Sequence, residues 1–252
     1  MYKYKGKWPH TRLAGIQEPW STCFSLINAA SHVAGLMMLA RFDSAKKLHM
    51  HVASAREQMV PTTGEALVAH LTRISCMSRL WIVAWVSSAV FHSRDTWLTE
   101  KLDYYSGNLA MCYMAFLSLT RAGWGLEGVV SRSLLAIGLG GSITVHMALG
   151  WQQMDYSRNM HVMIALLATH SVGWASRCLH TPAPHNKLFY VSTLLSYAAG
   201  ALEIYDFPPR LGRAPLIVSR ATLAVCTHCG PCHVLPRLNA CRVKPTACHT
   251  PI

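Results

Sequence analysis

Charged side chains are scarce in this chain. Asp, Glu, Lys and Arg make up only 13% of its 252 residues, whereas an ordinary soluble domain carries about 25%. Hydrophobic residues make up 52%. This composition excludes a disordered chain, which would be poor in hydrophobic residues. It also argues against a soluble domain, because so much apolar surface needs lipid around it.

Acidic residues are fewer than basic residues in this chain. The chain has 11 Asp and Glu against 23 Lys and Arg, so its formal net charge is +12. A charge of this size is typical of nucleic-acid-binding proteins. However, residues 207–252 contain basic residues and no acidic residue, and they carry half of the excess. We therefore expect a membrane protein that does not bind nucleic acid.

The N-terminus lacks the apolar core of a cleavable signal peptide. Residues 1–9 end in Gly6-Lys7-Trp8-Pro9 and contain no apolar stretch of about seven residues or more. We therefore expect an internal helix to direct membrane insertion.

Six apolar segments approach the length of about 20 residues that a helix needs to cross a bilayer core of about 30 Å. They predict an all-α polytopic membrane helical bundle over residues 20–206. Residues 1–19 are then a pre-membrane segment, and residues 207–252 a basic, Cys-rich tail. The six segments are Trp20–Ala40, Cys76–Phe91, Tyr104–Thr120, Leu134–Trp151, Met160–Trp174 and Leu188–Tyr205.

The stretch between the first two segments is different in character. Residues 41–73 contain Asp, Glu, Lys, Arg and Pro, which makes them too polar to span a bilayer and long for a loop. They are predicted to form a polar insertion. Most loop Lys and Arg residues follow the first, third and fifth segments. By the positive-inside rule, the loop after the second segment lies on the lumenal or outer side.

The densest polar cluster lies in that lumenal loop. Ser88 and His92 are four residues apart, so on a helix they share one face, and Asp103 follows at the start of the next segment. Ionisable groups at membrane depth tend to be functional, and neutral imidazole is a common zinc ligand. The cluster therefore predicts a metal site. The alternative is a solvated interfacial loop with incidental ion pairs, formed by His92, Arg94, Asp95, Glu100 and Lys101.

Other histidines and cysteines are weaker candidates. Four histidines in apolar segments are expected to be hydrogen-bonded core residues rather than ligands. Near the C-terminus, Cys226, Cys229 and Cys232 form two overlapping C-x-x-C steps that suit zinc. No core is visible around them, so a disordered or aberrant terminus is the alternative. The four histidines are His32, His146, His161 and His170.

Several sequence blocks together resemble a known family, the post-GPI attachment to proteins factor 3 family of GPI-anchor remodelling. That family belongs to the CREST superfamily of seven-helix membrane hydrolases. The resemblance covers about residues 3–209 and is weakest over residues 41–73. The blocks are Gly6-Lys7-Trp8-Pro9, Ala14-Gly15-Ile16-Gln17-Glu18-Pro19, Val90-Phe91-His92-Ser93-Arg94-Asp95, Thr99-Glu100-Lys101-Leu102-Asp103-Tyr104-Tyr105 and Asp206-Phe207-Pro208-Pro209.

The resemblance implies a GPI-specific phospholipase A2 in the Golgi membrane, with the endoplasmic reticulum as the alternative compartment. Such an enzyme removes the sn-2 acyl chain from the phosphatidylinositol of GPI-anchored proteins. Superfamily members resemble zinc hydrolases built from one Ser, one Asp and three His. On that pattern His92 is a zinc ligand, and Ser88 and Asp103 are catalytic residues that line the metal-bound water.

One departure from the family weakens this expectation. After Asp206-Phe207-Pro208-Pro209 the family continues into a seventh helix whose H-x-x-x-H supplies two more zinc ligands. Here the chain continues into the Cys-rich tail instead. A catalytic zinc normally needs three protein ligands and an open position. A catalytically inactive truncated isoform, or a membrane interaction protein, is therefore the alternative.

Overall fold

The computed structural model describes residues 12–54, 62–126, 128–182 and 186–205. These ranges contain six helices and no strand, apart from one isolated bridge between Leu13 and Ile16. The predicted all-α class is confirmed. The helices are α1 Pro19–Ser54, α2 Thr62–Ser93, α3 Trp97–Leu119, α4 Val129–Leu149, α5 Tyr156–His180 and α6 Asn186–Tyr205.

Each predicted apolar segment falls on its own helix, but α1 continues from Ala40 to Ser54 and α2 begins at Thr62 rather than at Cys76. The fourth segment was extended to Trp151, but α4 ends at Leu149 and Gly150 follows as its C-cap. In the described part of the chain, four helices are long and apolar enough to cross a membrane. A multi-pass membrane protein is therefore confirmed. The four spans are Pro19–Arg41, Leu71–Ser93, Val129–Leu149 and Tyr156–His180.

The predicted polar insertion continues the first two helices wherever it is described. Helix α1 has 36 residues and α2 has 32, so they are about 54 and 48 Å long at 1.5 Å per residue. Both are longer than a bilayer core of about 30 Å. The polar residues at the end of α1 and the start of α2 thus extend the pair beyond its apolar spans. Residues 55–61 lie outside the described ranges, as do residues 1–11 and the tail at 207–252.

Helix α3 is the centre of the bundle, because it packs against α2, α4 and α5. Ala110 and Ala115 on α3 are completely buried. By contrast, α4 leaves most of its apolar side chains exposed, including Leu134 and Ile137. An apolar face with few neighbours suits contact with lipid. The buried core consists of Met77, Trp81, Ala84, Ala110, Met111, Cys112, Met114, Ala115, Leu117, Ile143 and Leu166.

A close approach between α3 and α5 brings these two helices together. A Cβ atom built on Gly173 of α5 would lie 2.9 Å from the backbone carbon of Ser118 on α3. Such a distance is below normal contact, so only glycine fits without movement. Small residues at a crossing are a common way for membrane helices to pack closely.

Candidate active site

The candidate site lies at the C-terminal end of α2. Ser88 and His92 are separated by one helical turn, and α2 ends at Ser93. Ser88 is 8% exposed, and its Oγ accepts a hydrogen bond of 3.3 Å from Ser25 Oγ on α1. A second hydroxyl pair, Thr22 and Ser93, lies 3.4 Å apart on the same two helices. Ser88 is therefore fixed within the α1–α2 interface.

A short connection places the start of α3 beside the end of α2. Only three residues separate the helices, and the last of them, Thr96, is the N-cap of α3. The Thr96 side chain accepts from the Thr99 amide, and Thr99 Oγ1 accepts from the Thr96 amide. This reciprocal capping satisfies two amides that would otherwise have no partner at the start of a helix. Residues 99–105, which we call the TEKLDYY block, therefore begin at the candidate site.

His92 is bonded to a carboxylate that the sequence did not single out for chemistry. Its Nδ1 lies 2.8 Å from Oε2 of Glu18, and both side chains are partly buried. The backbone amide of Glu18 also donates to the carbonyl of His92 at 3.0 Å. Glu18 belongs to a block that carried the family resemblance, but its position before α1 gave no sign of contact with residue 92. The contact depends on how α1 and α2 pack.

Asp103 lies on α3 at the same end of the bundle and is partly buried. The neighbouring Tyr104 ring meets the Phe91 ring at a centroid distance of 6.2 Å, and Phe91 meets His92 at 5.3 Å. Aromatic contacts of this kind are favourable and directional. They join the turn of α3 that carries Asp103 to the turn of α2 that carries His92.

The pair of Glu18 and His92 at the C-terminal end of α2 matches one part of a zinc site. A carboxylate on Nδ1 of a neutral imidazole leaves the lone pair at Nε2, which is the usual arrangement for a metal-binding histidine. In the described residues, however, no group of three or more His, Cys, Asp and Glu is placed to hold a metal ion. Glu18, His92 and Asp103 therefore do not make a complete catalytic zinc site. The tail residues Cys226, Cys229 and Cys232 lie outside the described part of the chain.

The TEKLDYY block mainly ties helices together. Lys101 is 2% exposed, and its Nζ donates to the Gly150 carbonyl at 2.9 Å. Tyr105 donates to the Met147 carbonyl at 2.8 Å, and Tyr156 donates to Glu100. The alternative of a solvated loop is thus wrong for Lys101, because its ammonium is buried against the C-terminus of α4. A cation at that position also interacts favourably with the helix dipole.

The histidines of the apolar segments differ from one another. His146 lies 3.2 Å from Oδ1 of Asn159, which also accepts from Asn108, and His161 and His170 contact backbone carbonyls. His32 is buried and stacks on Trp81 at 6.0 Å. Its Nε2 has no hydrogen-bond partner among the described residues. The expectation of hydrogen-bonded core histidines is therefore met by the buried His146 and partly by the half-buried His170, whereas His161 is exposed. The buried His32 stacks on Trp81.

Comparison with known proteins confirms the resemblance. The GPI-specific phospholipase A2-like PGAP3 of Homo sapiens is 32% identical over 215 residues, covering 82% of this chain and 59% of the relative. The Cricetulus griseus protein of the same name is 31% identical over 211 residues, with 82% and 59% coverage. Post-GPI attachment to proteins factor 3 of Drosophila melanogaster is 31% identical over 215 residues, with 83% and 58% coverage.

The chain thus spans about 59% of the length of these curated relatives. No solved structure matches it. A family model, described as the Per1-like family, matches residues 1–222. Because that match covers most of the 252 residues, the chain belongs to the Per1-like family.

Proposed function

We propose that this chain is a GPI-specific phospholipase A2-like membrane hydrolase that removes the sn-2 acyl chain from the lipid of GPI anchors. The observation that carries the proposal is the placement of Ser88 and His92 one turn apart, with the Glu18 carboxylate 2.8 Å from Nδ1 of His92. The names of the relatives give the substrate class. Phosphatidylinositol and the GPI-anchored proteins that carry it are the proposed partners, in a Golgi membrane.

The proposed reaction is the hydrolysis of one ester bond. A water oxygen bonds to the sn-2 carbonyl carbon, the bond from that carbon to the glycerol oxygen breaks, and a water proton ends on the glycerol oxygen. Asp103 is the proposed group that accepts and returns this proton. Ser88 is the proposed donor to the carbonyl oxygen as negative charge develops on it. The products are a free fatty acid and a lysolipid.

The zinc dependence that the superfamily resemblance implies is part of the proposal. His92 would offer its Nε2 lone pair as one ligand, and the remaining ligands would come from outside the described residues. When bound, zinc supplies a Lewis acid and lowers the pKa of a water molecule. The described donors do not form a set of three.

A second candidate is a membrane protein of this family that has no catalytic activity. It is favoured by the absence of a three-donor metal group from the described ranges. It then retains the helical bundle and contacts GPI lipid or another membrane protein without cleaving the ester. This candidate predicts neither zinc nor acyl release.

One experiment separates the two candidates. The full chain is reconstituted into liposomes that carry a GPI-anchored protein whose phosphatidylinositol is labelled on its sn-2 chain, and released fatty acid and bound zinc are measured. The hydrolase predicts release that is lost in His92→Ala, Ser88→Ala and Asp103→Asn. His161→Ala is the matched control, since His161 is exposed on α5 and contacts only a backbone carbonyl among the bonds described. Release that persists in His92→Ala contradicts the proposed site.

Absence of both zinc and acyl release supports the non-catalytic candidate. The same tagged chain, imaged in cells against Golgi and endoplasmic reticulum markers, tests the proposed compartment. Retention in the endoplasmic reticulum contradicts the Golgi assignment.

A further inference from the structure

Glu18 has a charged contact at the candidate site, yet it is not one of the three residues assigned to the reaction. Its Oε2 lies 2.8 Å from Nδ1 of His92, and the two residues are 74 positions apart in sequence. This distance is typical of a hydrogen bond to a charged group. Both side chains are partly buried, so water screens the contact less than at an open surface.

The backbone around Glu18 is held against the end of α2. The amides of Gln17 and Glu18 donate to the carbonyls of Ser93 and His92 at 3.2 and 3.0 Å. The Gln17 side chain accepts from the Asp95 amide at 2.6 Å. These bonds fix the segment before α1 independently of the Glu18 side chain. The carboxylate is therefore presented to the imidazole from a held backbone.

A carboxylate beside Nδ1 has a defined effect on a neutral imidazole. A carboxylate can only accept a hydrogen bond, so it stabilises the tautomer that carries its proton on Nδ1. The lone pair is then on Nε2. Without the carboxylate, the imidazole is free to adopt either tautomer and to rotate about its side-chain bonds. The identity of the partner on one nitrogen thus decides what the other nitrogen can do.

We propose that Glu18 is the positioning residue of His92, fixing its Nδ1–H tautomer and its ring orientation so that Nε2 is presented to the site. The consequence for catalysis rests on the proposed function, whereas the tautomer does not. A different explanation is that Glu18 serves only the N-terminus of α1. Its carbonyl accepts from the amide and the hydroxyl of Thr22, and an acidic side chain is favourable at a helix N-terminus.

Nitrogen-15 NMR of the histidine-labelled 252-residue chain in nanodiscs distinguishes these explanations. His92 is assigned from the signal lost in His92→Ala. We expect wild-type His92 to carry its proton on Nδ1, and Glu18→Ala to lose that tautomer. Gln17→Ala is the matched control. It removes the side-chain bond to the Asp95 amide from the same segment, and it should leave the His92 tautomer unchanged.

Three NMR results overturn the inference. The first is a wild-type His92 that carries its proton on Nε2. The second is a folded Glu18→Ala protein whose His92 signals match those of the wild type. The third is a Gln17→Ala protein whose tautomer changes as much as that of Glu18→Ala, because docking of the segment is then responsible and the carboxylate is not.

Kinetics then separate this inference from the proposed function. With a GPI-anchored protein labelled on the sn-2 chain of its lipid, Glu18→Ala should lower kcat by about 10- to 100-fold, as is typical when the partner of a metal-binding histidine is removed, with little change in KM. A wild-type protein without acyl release overturns the proposed hydrolase but leaves the tautomer result standing. Normal release from Glu18→Ala overturns the positioning role.

Discussion

Ser25 and Ser88 are joined by a hydrogen bond across the α1–α2 interface, with Ser25 Oγ donating to Ser88 Oγ at 3.3 Å. Both residues are buried. A hydroxyl oxygen that accepts one bond can still donate its own hydrogen. The pair therefore orients Ser88 so that its proton can be offered to a carbonyl oxygen, which is the role proposed for it.

This relationship predicts unequal effects for the two serines. Ser88→Ala removes the proposed donor and should lower acyl release by about 100-fold or more. Ser25→Ala removes only the group that orients it and should cost less than about tenfold. Release of labelled fatty acid from liposomes measures both. A larger loss in Ser25→Ala than in Ser88→Ala would contradict the assigned roles.

Lys101 is predicted to stabilise the bundle. Lys101→Met preserves most of the side-chain volume but leaves the Gly150 carbonyl without the bond from Nζ. A buried acceptor that loses its partner costs about 1–3 kcal/mol, so thermal unfolding in detergent should occur at a lower temperature. Lys187→Met is the control, because Lys187 is exposed near the start of α6. Equal unfolding temperatures for the two variants would show that the bond contributes nothing.

The crossing of α3 and α5 predicts that Gly173 does not tolerate a methyl group. The added Cβ would lie 2.8 Å from Oγ and 2.9 Å from the backbone carbon of Ser118, so the helices must separate. Overpacking of this kind typically costs about 1–3 kcal/mol. Gly138→Ala on α4 is the matched control, since a Cβ there meets nothing within 4 Å. That variant should be neutral or slightly stabilising, as Ala favours helix more than Gly does.

Replacing either of two buried asparagines by leucine is predicted to change the stability of the protein by different amounts. Neither amide atom of Asn28 has a hydrogen-bond partner in the described part of the chain, whereas Asn108 donates to Asn159 at 2.7 Å. Both side chains are fully buried. Asn28→Leu should leave stability unchanged or raise it, while Asn108→Leu should cost about 1–3 kcal/mol. Chemical unfolding in mixed micelles measures both. A large decrease in the free energy of unfolding of Asn28→Leu would show that the Asn28 amide has a hydrogen-bond partner outside the described residues.

The sequence predicted the helices well because long apolar segments have few alternatives in a membrane. Backbone groups in lipid must bond within their own segment, which favours helix wherever the segment is long enough. Each of the six segments accordingly falls on a helix. The residues between 41 and 73 were harder to predict. Their charges indicated an insertion, but α1 and α2 continue through much of that stretch.

The prediction of the site was less complete, since it used spacing within one segment. Ser88 and His92 are four residues apart, so a helix alone places them on one face. Asp103 followed from the short connection to α3. The roles of these three residues, and the predicted zinc, remain predictions. Glu18 could not be paired with His92 in this way, because no local rule connects residues 74 positions apart.

The amino-acid sequence by itself determined the membrane environment, the helical class and the family, because each depends on composition or on local order along the chain. Only the tertiary structure decided which polar groups meet. It placed Lys101 against the end of α4, Ser25 on Ser88 and Glu18 on His92. The physical reason is that each of these bonds joins residues 49 to 74 positions apart in the sequence. Their geometry depends on how the segments pack, which no local rule along the chain determines.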